Sequence, residues 1–390
     1  MKEISALRWL DQVIDICLMG FAAFSMFSIS LTQISAGVGA IAWLIRVHIT
    51  CSWKKLTFPL GQVFLIFIAA CVIGVLTSLD PSTSVVMLKK ILLGVIFFWV
   101  VNAIRDREQR ELLLKILLIS AVLASLNGIL QAVFTGISKS NRVEGTMSIY
   151  MTFAGVLMLV SIMALSRLIF YRKFEALVAL AVSLFVICLL LTLTRQAWLG
   201  LIAGAGFLIF KRNKNWLLVI PVFFLLVILF SSGAVKDRLW SMVNFKDRTF
   251  LIRLDLWKGG WEIFKDHPIT GCGFKCVDRV YSHYPEHARV LQRYKGMHNN
   301  IVQIAVDTGL IGLIAWLSIW IKYFFVLHRR SKSLKNLEED RWIQFGSIGI
   351  TIGFFSGGLF EVNFYDSEVV MLLYFLMAMP LYKPLRNSFR

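Results

Sequence analysis

Charged side chains are scarce in this sequence. Asp, Glu, Lys and Arg make up only 16% of its 390 residues, whereas 58% of the residues are hydrophobic. A water-soluble domain needs more charge than this to cover its surface. The composition therefore excludes a soluble globular protein and indicates an integral membrane protein.

Several motifs are also missing. The six cysteines and six histidines show no spacing typical of a zinc site. The first hydrophobic run lacks the small-residue cleavage site of a removable signal peptide, so we expect it to be retained as a helix. Matching halves of the kind found in many transporters are not evident. These absences predict no metal or cofactor and make a transporter the weaker alternative.

What the sequence has instead is a series of hydrophobic runs, each about as long as the 20 residues that cross a bilayer core. They lie near residues 10–31, 32–47, 59–79, 85–104, 112–135, 147–166, 174–194, 196–210, 215–232, 299–327, 343–362 and 366–382. We predict an all-α membrane protein of about twelve transmembrane helices. Helices 1–9 would occupy residues 1–230, a large loop 231–297, and helices 10–12 residues 298–390.

Basic residues indicate how the chain is oriented. They cluster in alternate loops, at residues 2–8, 46–55, 105–110, 167–173, 211–214, 329–335 and 383–390. Because such clusters mark cytoplasmic segments, both termini are predicted to be cytoplasmic and loop 231–297 periplasmic. The net charge of +18 is spread over these segments, which favours contact with anionic membrane lipids over nucleic-acid binding.

The long loop contains the pattern of an amphipathic helix. Apolar residues recur at Phe250, Leu254, Trp257, Trp261 and Phe264, ahead of a proline that disfavours continuation. At helical spacing Arg253 lies beside this aromatic stripe, apart from the other charges. It could reach lipid headgroups, or it could grip a phosphate, for which a guanidinium is suited.

Two cysteines fall in the same loop. Cys272 and Cys276 are the only two that we place outside the cytoplasm and the lipid core. They could form a disulfide in an oxidising periplasm, although their spacing does not determine the geometry.

Further basic residues are predicted near the outer face. Arg195 stands between two hydrophobic runs with almost no loop to hold it, and an ionisable residue there is either a snorkelling helix end or a functional residue. Arg142 reaches the same face, and Lys89 and Lys90 lie close to it. Cations that border lipid suit a lipid-linked diphosphate, with the tail in the bilayer and the phosphates among the charges.

His298 and Asn299 stand where the long loop re-enters the membrane. The simpler interpretation is a helix start, with Asn299 as its cap. The functional interpretation is a titratable ring at a water–membrane boundary. Glu361 and Asp366 flank the last outer loop, and either could orient His298 or balance an arginine; the simpler interpretation of both is a helix-end charge facing water.

These residues resemble a known family. Thr-Arg-Gln-Ala-Trp at 194–198, Arg-Leu-Asp-Leu-Trp at 253–257, His-Pro-Ile-Thr-Gly-Cys-Gly at 267–273 and the signature from His298-Asn299 to Gly312 are similar to those of the O-antigen ligase and polymerase superfamily, and most similar to the ligases. The resemblance covers about Thr194 to Gly312 in motif and most of the chain in topology.

The resemblance implies a multi-spanning, GT-C-type glycosyltransferase of the bacterial inner membrane. Its reaction would transfer a polysaccharide from undecaprenyl diphosphate to a sugar of the lipid A-core, with inversion and without a metal. On this chain, His298 would act as general base, and Arg195 and Arg253 would hold the donor diphosphate. O-antigen polymerases and O-linked oligosaccharyltransferases carry related patterns and remain alternatives.

The chemistry of these implied roles is sound. A sugar hydroxyl is a poor nucleophile until a base takes its proton, and imidazole is suited to that task. The leaving diphosphate gains charge in the transition state, where fixed cations help most. Since no outer-face Asp-x-Asp motif is present, the arginines would replace a divalent ion.

Overall fold

The chain folds almost entirely into helices. The computed structural model describes residues 2–231, 233–333 and 338–382. Its α-helices are α1 (Lys2–Phe24), α2 (Ile29–Ile49), α3 (Gly61–Leu76), α4 (Pro81–Val85), α5 (Leu88–Ile91), α6 (Val95–Ala103), α7 (Arg107–Thr135), α8 (Tyr150–Phe170), α9 (Ala176–Leu191), α10 (Arg195–Arg212), α11 (Val219–Phe230), α12 (Gly233–Val243), α13 (Arg248–Asp266), α14 (Val277–Val280), α15 (Ala288–Tyr294), α16 (Asn300–Ser333), α17 (Glu338–Gly358) and α18 (Ser367–Ala378). Short 3-10 helices lie at Trp53–Lys55, Leu92–Gly94, Lys214–Leu218, Tyr281–His283 and Asn363–Tyr365.

The all-helical prediction is confirmed, since the described part of the chain contains no strand. Five helical segments are long and apolar enough to cross a membrane: Ile29–Ile49, Pro81–Ala103, Arg107–Thr135, Tyr150–Phe170 and Asn300–Arg330. Shorter apolar helices coincide with several other hydrophobic runs, and the total of twelve spans stays a prediction. Lys335 and the predicted basic cluster at 383–390 lie outside the described residues.

The centre of the bundle is α8, which packs against α10, α17 and α18. Small residues allow these helices to approach closely. A Cβ atom at Gly200 of α10 would lie 2.6 Å from the carbonyl oxygen of Gly353 in α17. Close backbone contact of this kind is how membrane helices gain packing energy without a hydrophobic driving force. The result is a densely packed frame on which the loops are mounted.

At one end of the bundle, buried arginines are paired with carboxylates. Where α8 ends and α17 begins, Arg167 pairs with Glu111 at 2.7 Å and with Glu175 at 2.5 Å, and Arg110 pairs with Asp340. At the other end, α8, α10, α16 and α18 begin and α17 finishes. We refer to the latter as the site end, because it carries His298.

A small domain with its own core covers the site end. Leu256, Ile263, Val277 and Leu291 are buried together, on α13, α14 and α15. Cys272 and Cys276 are joined by a disulfide within this core.

The predicted amphipathic helix is present as α13, but the aromatic stripe is not its most buried face. Leu256, Gly259, Gly260 and Ile263 are its buried residues, whereas Trp261 is 58% exposed. The glycines admit the side chains of His287 and Met297 at close range, and this contact selects the buried face.

The segment 267–273 is bound to α16 at a kink. Inside α16, Gly309 has φ +63°, which breaks the helical geometry. The N–H of Leu310 donates to the carbonyl of Pro268 (2.8 Å), and the N–H of Cys272 donates to the carbonyl of Val306 (3.0 Å). A Cβ atom at Gly309 would lie 2.3 Å from the carbonyl oxygen of Ile269. The backbone thus requires glycine at this position.

We therefore expect Gly309→Ala to destabilise the protein by on the order of 2 kcal/mol or more, because it adds both a left-handed backbone strain and a clash. The thermal unfolding midpoint in detergent should fall by several degrees. Gly206→Ala is the matched control, since a Cβ atom there meets only Ile220, at 3.7 Å. Equal midpoints for the two variants would contradict this account of the kink.

Candidate functional site

His298 is held by its backbone just before α16. Its φ of +45° places it in the left-handed region, which is uncommon for a residue other than glycine. The preceding residue fixes this geometry: Trp257 Nε1 donates to the carbonyl of Met297 at 2.9 Å, and the Met297 N–H donates to Gln303 Oε1 at 2.9 Å. Asn299 caps α16, its Oδ1 accepting from the N–H of Ile301 at 2.8 Å. The ring is therefore positioned from both sides.

The ring of His298 forms a hydrogen bond with Glu361, with 3.0 Å between Nδ1 and Oε1. Because the carboxylate accepts, Nδ1 is assigned as the donor and Nε2 carries the free lone pair when the ring is neutral. Within the described part of the chain Nε2 makes no hydrogen bond, and the side chain is 25% exposed. A carboxylate that holds the ring in one tautomer is the arrangement of a general base.

Glu361 is positioned by the loop after α17. Asn300 fixes that loop by accepting from the N–H of Phe364 at 3.1 Å and donating to Asn363. Burial by itself would raise the pKa of Glu361, but the hydrogen bond from His298 and the charges of His298 and Arg253 outweigh it and lower the pKa below its ordinary value. Its second oxygen, Oε2, is buried and has no partner among the described residues.

Arg195, the first residue of α10, is buried. Its guanidinium donates to the carbonyl of Ser241 at 2.8 Å and to Asp247 Oδ1 at 3.0 Å. Asp247 also caps α13 by accepting from the N–H of Thr249. This shared carboxylate ties the start of α10 to the start of α13, on which Arg253 lies about one and a half turns later.

Arg253 is a cation without a direct partner. Among the described residues it forms no hydrogen bond or close ion pair, and its Nε is buried and unsatisfied. Burial lowers the pKa of Arg253, and the neighbouring charge of Arg195 lowers it further, although Glu361 and Asp247 oppose the shift. Arginine stays charged despite such a shift, so Arg253 is a buried cation that no carboxylate contacts directly among the described residues.

Arg238 is a third arginine here, and the sequence analysis missed it. Its Nε donates to the carbonyl of Leu193 at 2.9 Å, and the residue is buried. Burial and the charges of Arg195 and Arg142 lower its pKa to about 10. In the sequence it follows Lys236 and Asp237 and looks like a solvated charge; only its helical spacing from the apolar Val235 could have indicated burial.

Of the remaining predicted residues, Arg142 lies near the other arginines. Arg142 stacks on the ring of Tyr150 at 4.5 Å and acts electrostatically on Arg238. We call Arg142, Arg195, Arg238 and Arg253 the arginine cluster.

Lys90 is placed elsewhere. It lines a cleft of about 280 Å³ that also contains His298 and Glu361, and its Nζ donates to the carbonyl of Tyr365 at 2.6 Å. Lys89 is exposed and lines no part of this cleft. Asp366 caps α18 and accepts from Thr152 at 2.6 Å, so it orients the helix and not His298.

A large apolar groove lies next to the part of α12 that carries Arg238. It has a volume of about 860 Å³ and is lined mainly by α9, α10 and α11. Val235 of α12, one turn before Arg238, belongs to its lining. The groove offers hydrocarbon contact beside a concentration of positive charge.

The pKa of Glu361 gives a prediction about stability. A carboxylate whose pKa is lowered by folding stabilises the native state above its unfolded pKa of about 4.3, and this contribution is lost as the pH falls through the native pKa. Glu361→Gln should therefore unfold more easily than the wild type at pH 7, and the difference should shrink below about pH 4. Thermal unfolding across pH tests this, with exposed Glu286→Gln as control; a difference that grows in acid would contradict it.

Comparison with known proteins adds an independent finding. Residues 179–317 match the family described as O-Antigen ligase. The matched segment contains Arg195, Arg238, Arg253 and His298, and it includes most of α9 and all of α10 and α11. No curated protein matches the chain. The match shows that this segment of the chain is similar to the O-antigen ligase family.

Proposed function

We propose that this protein is an O-antigen ligase. It transfers a polysaccharide from undecaprenyl diphosphate to a sugar of the lipid A-core, at the periplasmic face of the bacterial inner membrane. The observation that carries the proposal is the pair His298–Glu361, at 3.0 Å, beside an arginine cluster in which Arg253 has no direct partner among the described residues. The family match over residues 179–317 supports the same class of reaction.

The donor would bind along the apolar groove. Its isoprenoid tail is a hydrocarbon and gains from burial against α9, α10 and α11. Its diphosphate would then reach Arg195, Arg238 and Arg253. Arg253 has an unsatisfied Nε for a phosphate oxygen, and a guanidinium can hold such an oxygen pair in two parallel hydrogen bonds.

The transfer step uses His298 and Glu361 together. Nε2 of His298 takes the proton of the acceptor hydroxyl. The hydroxyl oxygen then attacks the anomeric carbon of the donor sugar with an electron pair. The bond between that carbon and the diphosphate oxygen breaks, and the leaving diphosphate keeps the electron pair. Glu361 stabilises the imidazolium that forms, as a carboxylate does in other histidine-based sites.

The arginine cluster would supply the electrostatic stabilisation of the leaving group. Charge builds on the diphosphate in the transition state, and cations already fixed in a poorly solvated site need no rearrangement to meet it. In this mechanism the arginines perform the task of a divalent cation. A single displacement from the face opposite the diphosphate inverts the anomeric centre.

The first prediction concerns His298. Purified protein should transfer glycan from undecaprenyl diphosphate to lipid A-core in the presence of a metal chelator. His298→Ala should lower the rate by about 10²-fold or more, because a general base is lost. His283→Ala, which removes an exposed histidine of the same domain, should retain wild-type activity.

The products of this assay separate the competing functions. Lipid A-core carrying the polysaccharide indicates a ligase, whereas a longer lipid-linked glycan would identify an O-antigen polymerase. Transfer to a protein acceptor would indicate an O-linked oligosaccharyltransferase. Absence of transfer to every acceptor would overturn the proposal and favour a transporter. Loss of activity with the chelator would refute the replacement of a metal by arginines.

A second prediction concerns Arg253. Arg253→Lys keeps the charge but loses the planar fork, so transfer should fall about tenfold or more. Arg248→Lys is the matched control, because Arg248 is exposed and lies on the same helix. Equal rates for the two variants would show that no specific phosphate clamp exists at Arg253.

A further inference from the structure

A second polar cleft adjoins the cleft of His298. Its volume is about 410 Å³, and it lies between the start of α4 and the helices α14 and α15. Lys275 and Lys295 line both clefts. The two cavities are therefore neighbours that share a rim of two cations, and a chain-like ligand could pass from one to the other.

The shared lysines are held in place by the backbone. Lys275 lies between the disulfide-bonded Cys272 and Cys276, with φ +60°, and Lys295 ends α15 with φ +56°. The loop that carries Lys275 is tied to the bundle, since Ser84 Oγ donates to the carbonyl of Phe274 at 3.0 Å. Left-handed backbone at non-glycine residues is uncommon and is often found at functional sites.

These lysines are also accessible. Both side chains are exposed. Lys295 pairs with Asp278 at 3.2 Å across exposed surface, where such a pair contributes little. Within the described residues, Lys275 has no ion-pair partner within 4 Å. A ligand that carries negative charge can therefore engage both ammonium groups without breaking a strong interaction.

The lining of the second cleft presents groups that suit a carbohydrate. Gln292 Nε2 donates to the hydroxyl of Tyr281 at 3.1 Å, which presents an aromatic ring and an amide side by side. Arg279 pairs with Asp80 at 2.8 Å and adds further donors and acceptors. Rings that offer both an apolar face and a polar group fit the alternating surfaces of a carbohydrate.

The position of the cleft assigns it to one substrate. The arginine cluster and the apolar groove serve the donor in the function proposed above. The positive charge of Arg253 acts on the carboxylate of Glu361. The shared lysines line the cleft that contains both His298 and Glu361. The hydroxyl that His298 deprotonates belongs to the acceptor, so a cleft that leads to this ring fits the acceptor.

We infer that the second cleft binds the acceptor as an anionic oligosaccharide, with Lys275 and Lys295 contacting its phosphate groups. The inference rests on the proposed glycosyl transfer and adds a subsite to it. In this arrangement the lysines set the affinity for the acceptor and leave the chemical step to His298.

The test is steady-state transfer by the variant Lys275→Ala/Lys295→Ala. The KM for lipid A-core should rise about tenfold, since two exposed charge contacts, each individually weak, are lost together. The kcat and the KM for the donor should stay within about twofold. Lys258→Ala/Lys265→Ala is the matched control, because both lysines are exposed on α13 and line neither cleft.

A dephosphorylated acceptor completes the design. With it, the wild type should show the raised KM of the double variant, and the double variant should show little further change, because coupled partners are not additive. An additive effect of the two changes would mean that the lysines do not contact the phosphates. Thermal unfolding of each variant checks that the fold is retained.

The outcomes distinguish this inference from the proposed function. An unchanged acceptor KM in an active double variant would overturn the subsite and leave the transferase intact. A raised KM for the donor alone would assign the cleft to the donor glycan, which also overturns the inference. If the wild type transferred to no acceptor, the proposed function would fail and the subsite with it.

Discussion

The architecture of the site end depends on an imbalance of charge. Four arginines meet there, while Asp247 and Glu361 are the carboxylates that act on them most directly. At the opposite end, a single arginine, Arg167, has two carboxylate partners of its own. Buried cations are costly unless something negative compensates them. Backbone carbonyls of Leu193 and Ser241 compensate in part, and an anionic ligand would complete the balance.

His298 and Glu361 form the boundary between two chemically different surfaces. On one side guanidinium groups are packed against helices and poorly solvated; on the other, lysines stand at an exposed rim. Planar, rigid guanidinium groups suit an anion whose position must be fixed, whereas flexible ammonium groups suit anions that vary in position. The two surfaces therefore differ in the precision with which they can hold a ligand.

Much of the architecture could be predicted from the sequence, because helix length and hydropathy are local properties. The boundaries of α13 followed from its spacing and from Pro268. The partner of His298 could not be chosen between Glu361 and Asp366, since both flank the same loop; Asn300 and the cap of α18 decide it in the folded chain. Arg238 could not be predicted, because the burial of a single charge on a helix of both polar and apolar residues depends on long-range contacts.

The arginine cluster also has a consequence for turnover. If it binds a diphosphate that gains charge as the glycosidic bond breaks, it binds the spent carrier more firmly than the intact donor. The reaction would then be limited by departure of the carrier lipid, and accumulated undecaprenyl diphosphate would act as a competitive inhibitor. The pace of such an enzyme would depend on how quickly the surrounding membrane removes and recycles that lipid.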